Sequence, residues 1–169
     1  KTLIIGALDT PNERLLAQMM AVIINERTGT TVNVEYFEDQ SKLYQAVENK
    51  EINILTGNTG RALQLLGKQS GEDADSIYAL VKQEYENRFQ LVLLEPFGPS
   101  PANPGEKLYV DVPMVASGIL VDYPALPRVI NKLAGIAGER NYAKLLASVE
   151  AGDKPSQVAR DFLKRKRFI

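Results

Sequence analysis

Cysteine and histidine are both absent from this chain. Without cysteine there is no disulfide, no thiolate zinc site and no thiol nucleophile. Without histidine the usual general base, triad partner and commonest metal ligand are gone as well. Carboxylate or lysine chemistry would remain, but no spacing of Asp or Glu marks an acid–base pair. The sequence therefore reads as a non-enzyme, with no cofactor and no metal site expected. Tryptophan is also missing, leaving seven Tyr and five Phe that mostly fall on apolar faces. Tyr44, Tyr78 and Tyr142 in particular read as core or core-edge residues. Charge of one sign is lacking too. Twenty Lys and Arg stand against 21 Asp and Glu, a formal −1, so no global field recruits nucleic acid or an anionic membrane. The one basic run, KRKR at 164–167, reads as a solvated helix end complementing the C-terminal dipole. No signal peptide or membrane span is seen, and Lys1 in place of methionine reads as a processed or trimmed N-terminus.

What is present is a chain of 169 residues, 44% hydrophobic and 24% charged, long enough for one domain with a real core. TLIIGAL (2–8) is a short apolar run that reads as a buried strand. A helix follows with clear punctuation: Thr10 as N-cap, Pro11 at the first helical position, Glu13 completing a capping box, and Gly29 as the stop. Leu15, Leu16, Met19, Met20, Ile23 and Ile24 form its apolar face. TVNVEYF (31–37) alternates as a strand, and a short helix then runs through Leu43, Tyr44 and Val47. INILTG (52–57) is a third strand, leading through the turn GNTG into RALQLLG. This βαβαβα order predicts a parallel sheet with right-handed crossovers. A longer helix ends near Phe89, LVLLE (91–95) is a buried strand, and VPMVASGILV (112–121) supplies one or two more. Three helices close the chain, the last carrying Val158, Phe162 and Leu163 as its apolar stripe.

One segment does not fit that regular pattern. EPFGPSPANPGEKLY (95–109) holds four prolines and two glycines, which belong to neither a helix nor a central strand.

Ligands of open α/β sheets bind outside the carboxyl ends of the strands. That edge collects ALDTPNE, LTGNTGR and EPFG. Thr10 and its neighbours sit at a helix N-terminus that favours an anion, or serve only as the cap. Asn58 and Thr59, between two glycines, allow close backbone approach to a ligand, or form an ordinary turn. The P-loop ending and the dinucleotide fingerprint are both missing. Asp9, Glu13 and Asp39 could gather at this edge, and surface solvation is the expectation for them.

Several stretches, taken together, resemble the substrate-binding proteins of ABC importers for glycine betaine, choline and related quaternary amines. IIGALDTPNERLLAQMMAVIINERTG resembles their opening strand, loop and long helix. YQAVENKEINILTGNTGRALQ resembles the segment carrying their Tyr-Thr-Gly motif, with Asn58 at the tyrosine and Thr59-Gly60 matching. LVKQEYENRFQLVLLEPFG resembles the stretch before the crossing to their second lobe. DYPALPRVINKLAG and PSQVARDFLKRKRFI resemble their closing helices.

The resemblance implies a three-layer α/β/α sandwich with a mostly parallel sheet, a single lobe of the type II periplasmic-binding-protein kind. Residues 1–169 would form that lobe, with 96–111 as a Pro/Gly-rich connection in place of a second lobe. Residues 95–112 are then expected on the surface, bridging two neighbouring strands. A ligand would meet Asp9, Thr10, Asn12, Asn58 and Thr59. The family's aromatic cage, which holds quaternary ammonium by ring faces, transfers badly: the ring of the first loop is gone and Arg61 adjoins the site. The implied role is solute binding for an importer, with ligand binding weakened or altered, in the periplasm or at the extracytoplasmic face. An ABC permease or another envelope protein would be the partner, a homodimer would supply the missing wall, and no nucleic acid is expected. The alternative is an envelope interaction module that keeps the scaffold without binding solute.

Overall fold

The computed structural model describes residues 2–71, 73–101 and 108–169. Along the chain run β1 (Thr2–Leu8), α1 (Pro11–Thr28), β2 (Thr31–Phe37), α2 (Gln40–Glu48), β3 (Ile54–Asn58) and α3 (Thr59–Leu66). They are followed by α4 (Ala74–Phe89), β4 (Leu91–Leu93), β5 (Gly98–Pro99) and β6 (Val110–Ala116). The chain closes with α5 (Leu126–Ile130), α6 (Tyr142–Glu150) and α7 (Pro155–Arg165).

The sheet has the order β2-β1-β3-β6-β4, with β5 also paired to β6. β1 is parallel to both β2 and β3, as the βαβαβ spacing predicts. β6 runs antiparallel to β3, β4 and β5. Five strands therefore point one way and β6 alone points the other, so their carboxyl ends meet the start of β6 along one edge. One apolar cluster, built on α1 and α5–α7, covers one face of the sheet; another, built on α2–α4, covers the other. The result is the three-layer α/β/α sandwich expected of a single binding-protein lobe.

Local chemistry explains the boundaries. The side chains of Thr10, Asp39, Asn58 and Asp73 each accept a bond from a backbone N–H of the first turn they precede, capping α1 to α4. Asp39 is exposed, as expected of it, and caps α2 as well. Gly29 closes α1 at φ 73°, a left-handed conformation that costs other residues a Cβ clash.

Along α1 burial goes beyond the single face read from the sequence. Ala17, Ala21 and Val22 are buried together with Leu15, Leu16, Met19, Met20, Ile23 and Ile24. The helix is wedged between the sheet and the α5–α7 layer, so little of its middle remains for water. Each large aliphatic side chain buried there contributes about 1.5–3 kcal/mol.

Two sequence boundaries shift. β3 continues through Asn58 and passes directly into α3, with no separate turn at GNTG. After β6 the chain forms a 3₁₀ turn, Ser117–Ile119, in place of a second strand. The described flanks of the Pro/Gly segment also lie deeper than expected. Phe97 is fully buried, Ser100 nearly so, and β5 pairs with β6. Phe97 fills the apolar cluster beneath α1, which outweighs the tendency of a Pro-rich stretch to stay on the surface. Residues 102–107 of the proposed connection lie outside the described residues. The strands on either side of it, β4 and β6, are neighbours in the sheet.

Candidate functional site

At the carboxyl edge, the β3–β6 register sets Asn58 opposite Asp111. The Asn58 amide donates to Asp111 Oδ1 at 3.2 Å. Asn12, in the first turn of α1, donates to Asp111 Oδ2 at 2.9 Å. Tyr142, at the start of α6, donates its hydroxyl to Asn12 Oδ1. Asn58 Oδ1 in turn accepts the Arg61 backbone N–H at 3.0 Å. Two side chains far apart in sequence thus meet on one carboxylate that is 2% exposed, and Tyr142 braces one of them. Burial pushes the Asp111 carboxyl above its usual range, against the opposing pull of Asn58, Asn12, Arg61 and Ser100.

A second carboxylate lies beside it. Glu13 is 4% exposed, which corrects the expectation of a solvated surface acid. Its Oε1 accepts from the Thr56 hydroxyl at 2.7 Å and from the Leu8 N–H at 3.2 Å. Its Oε2 meets Arg61 Nη2 at 2.9 Å. The capping box is therefore only half formed. Thr10 Oγ1 accepts the Glu13 N–H at 3.3 Å, while the Glu13 side chain reaches Leu8 and Thr56 and makes no bond to the Thr10 N–H. Burial raises the Glu13 carboxyl, and Arg61 works against that rise. Arg61, expected to repel a cation unless paired, is paired.

Thr10, Asn12, Glu13, Arg61 and Asp111 line a cleft of about 220 Å³ whose far wall is Leu146 and Glu150 of α6. A wider hollow of about 450 Å³ adjoins it, lined by Asn58, Arg61, Lys68 and Tyr109. Arg61 forms the wall between the two. A larger hollow, about 760 Å³, lies at the opposite edge, where Asn53 precedes β3 and Leu91 begins β4. Among the described residues no group of three or more His, Cys, Asp or Glu could hold a metal, and no helix is long and apolar enough to cross a membrane.

The five residues expected at the ligand divide into two groups. Thr10 and Asn12 line the smaller cleft and Asn58 the hollow beside it, with Asn12 and Asn58 joined through Asp111. Asp9 lines neither and pairs with Arg14 at 2.6 Å. Thr59, 1% exposed, accepts the Val110 N–H at 3.0 Å and ties α3 to β6. Sequence reasoning missed Asp111 and the hydroxyl of Tyr142. The available signal was a lone acid at the head of an apolar strand, in YVDVPMV.

The fold and this edge define the class: one lobe of a periplasmic-type solute-binding protein. Residues 1–111 match the family of substrate-binding domains of ABC-type glycine betaine transport systems. The chain belongs to that family, which is one of solute-binding proteins and not of enzymes. No protein with a curated description matches the sequence.

Among solved structures, a glycine betaine/carnitine/choline ABC transporter protein superposes with a TM-score of 0.87 at 14% identity, covering 98% of this chain and 99% of that one. Apo YehZ from Escherichia coli gives 0.84 at 13%, covering 100% of both chains. Lactococcal OpuAC, closed and complexed with glycine betaine, gives 0.56 at 10%, covering 99% of this chain and 96% of that one. Identities this low establish the fold alone.

Proposed function

We propose that this chain captures a small solute at the cleft between α1, α3, β6 and α6, for import by an ABC permease outside the cytoplasm. Thr10 and Asn12 act from one side, Asn58 from the other, and Arg61, Glu13 and Asp111 set the electrostatics. The observation that carries the reading is convergence. The family's ligand edge is occupied here by two buried carboxylates, Glu13 and Asp111, in a cleft open to a small molecule. Binding of glycine betaine or choline is weakened. Quaternary ammonium is held by aromatic faces, and none of the described residues lining this cleft is aromatic. One lobe also covers less of a ligand than the usual 70–90%, so a closing wall from the permease or from a second copy would raise affinity. Calorimetry against glycine betaine, choline, carnitine, proline and anionic solutes tests this. One solute is expected to bind saturably, and silence across the panel by a stably folded chain would remove the reading.

A second reading is favoured by one observation. The polar groups of the cleft already satisfy one another, and no buried side-chain N or O lacks a partner among the described residues. A network complete without ligand suits a scaffold retained for docking an envelope protein. That reading gains from silence in the same titrations together with retained binding to permease.

A further inference from the structure

The two ends of the sheet are built differently. At one, β4 is three residues long; at the other, β2 runs for seven. A long open edge is a template for pairing, and proteins usually blunt it with Lys, Pro or a bulge. β2, TVNVEYF, has no Lys and no Pro, and it keeps unbroken register with β1 from Thr31 to Phe37. Thr31, Asn33, Glu35 and Tyr36 are exposed, and no strand lies beyond β2 among the described residues.

The alternation of a strand tells which backbone groups face outward. Phe37 O accepts the Asp9 N–H at 2.9 Å, so Phe37 turns its backbone groups toward β1, and Thr31, Asn33 and Glu35 do the same. Val32, Val34 and Tyr36 therefore aim theirs away from the sheet. Their side chains share the α1 face: Val32 and Val34 pack on its apolar cluster, and the Tyr36 hydroxyl accepts from Gln18.

A second β2 laid antiparallel, with a two-fold axis at Val34, brings Val34 opposite its own copy and Val32 opposite Tyr36. All of these pairs join outward-facing residues, and each pair exchanges two hydrogen bonds. Valine against an aromatic ring is a favourable cross-strand contact. On the other face Asn33 falls opposite Glu35, amide against carboxylate, and neither has a side-chain partner in its own chain among the described residues. An axis at Asn33 loses one pair, because Thr30, then opposite Tyr36, already bonds Thr28 and Asn25. An axis at Glu35 sets two carboxylates face to face.

We propose that β2 pairs with β2 of a second copy of this chain, antiparallel and in register about Val34, joining two lobes through one continuous sheet. The contact is isologous and closes on itself, so it covers the edge without propagating into a fibre. The axis stands perpendicular to the sheet, so the two carboxyl edges point in opposite directions. Both candidate clefts stay open, and the pairing goes beyond the solute-binding reading without depending on it.

Sedimentation velocity on the intact chain, from micromolar to millimolar concentration, reads the monomer–dimer equilibrium. A dissociation constant in the micromolar range is expected for so small an interface. A monomer throughout overturns the proposal, as do assemblies that keep growing with concentration. Asn33 is exposed, so charge there leaves the fold intact. Asn33→Lys, set against Glu35 of the other copy, is expected to tighten the dimer about threefold to tenfold, and Asn33→Glu to loosen it by as much. A dimer indifferent to both lies on another surface and overturns the assignment.

Val34→Pro removes only an outward N–H, which an edge strand tolerates, and is expected to give a monomer with the circular dichroism of the wild type. Hydrogen exchange supplies a further readout, because the amides of Val32, Val34 and Tyr36 should slow as the dimer forms. Slow exchange of those amides in a monomer means that another segment covers the edge, and the proposal fails.

Discussion

Arg61 holds a carboxylate that the fold cannot hydrate. In the variant Arg61→Met, Glu13 stays 4% exposed and keeps only the Thr56 hydroxyl and the Leu8 N–H. Breaking a buried pair by removing one partner costs about 3–5 kcal/mol. Here the Arg61 side chain is 29% exposed, so water already screens part of the attraction. About 2–3 kcal/mol is therefore expected near pH 8. For a domain of this size that lowers the melting temperature by about 4–12 °C.

The loss should itself depend on pH. Burial already lifts the Glu13 carboxyl, and Arg61 is the main influence holding it down. Without Arg61 the group takes up a proton more readily and escapes its uncompensated charge. At about pH 5 the penalty should shrink to under about 1 kcal/mol. Urea unfolding of wild type and variant at both pH values measures this, with Glu13→Gln/Arg61→Met as the control lacking the charge. A loss that is equal at the two pH values, or none near pH 8, would refute the reasoning.

The same linkage gives Asp111 a signature of opposite sign to that of a salt-bridged acid. Its folded pKa lies above its ordinary value of 3.8, so the folded chain binds the proton more tightly and stability falls as pH rises from about 4 through the folded pKa. Asp111→Asn is expected to flatten that slope in urea titrations run across pH.

Gly57→Ala would place a Cβ 2.3 Å from Met114 Cε across the β3–β6 pair, and Met114 is fully buried. Overpacking of this kind costs about 1–3 kcal/mol. Chemical denaturation measures the loss, and a smaller side chain at Met114 should restore part of it. The hydroxyls of Tyr44 and Tyr85 meet at 2.8 Å in a buried site, with Tyr85 pushed up to about 12 and Tyr44 raised well above its usual range. Ultraviolet titration should find both still protonated at about pH 11, where a free phenol has ionised.

How much of this could be read from the sequence follows from the range of the interactions. Period and punctuation are local, so β1, α1, β2 and their order were visible in residues 2–37, and Thr10, Pro11 and Gly29 marked the ends of α1 correctly. That order predicted the parallel pairing of β1 with β2 and β3, while the three-layer, mostly parallel lobe was what the family resemblance implied. What was hidden depends on distant partners. Glu13 has a sufficient local explanation as the end of a capping box. Its burial is decided by Thr56 and Arg61, 43 and 48 positions away (56 − 13 and 61 − 13). Asp111 looks like one acid in an apolar strand until the register of β6 against β3 sets it opposite Asn58. Tyr142 was read correctly as core-edge, but its hydroxyl takes part in the site only because α6 packs against α1.

The reversed strand β6 also bears on how the chain folds and on what it tolerates. β6 separates β3 from β4, so the sheet cannot close until residues 110–116 have returned from beyond β5. Until then the inner edge of β3, whose five residues are all buried in the finished molecule, has no partner strand. The closing step is thus a long-range one, of the kind that slows folding and exposes intermediates to aggregation. Its equilibrium cost, however, depends only weakly on what lies between Pro99 and Val110. Each doubling of that length adds only about 0.6 kcal/mol of closure entropy. To this sheet, a few linking residues and an entire inserted body are nearly equivalent. The rate of closure, more than the stability of the closed sheet, is what would record the difference.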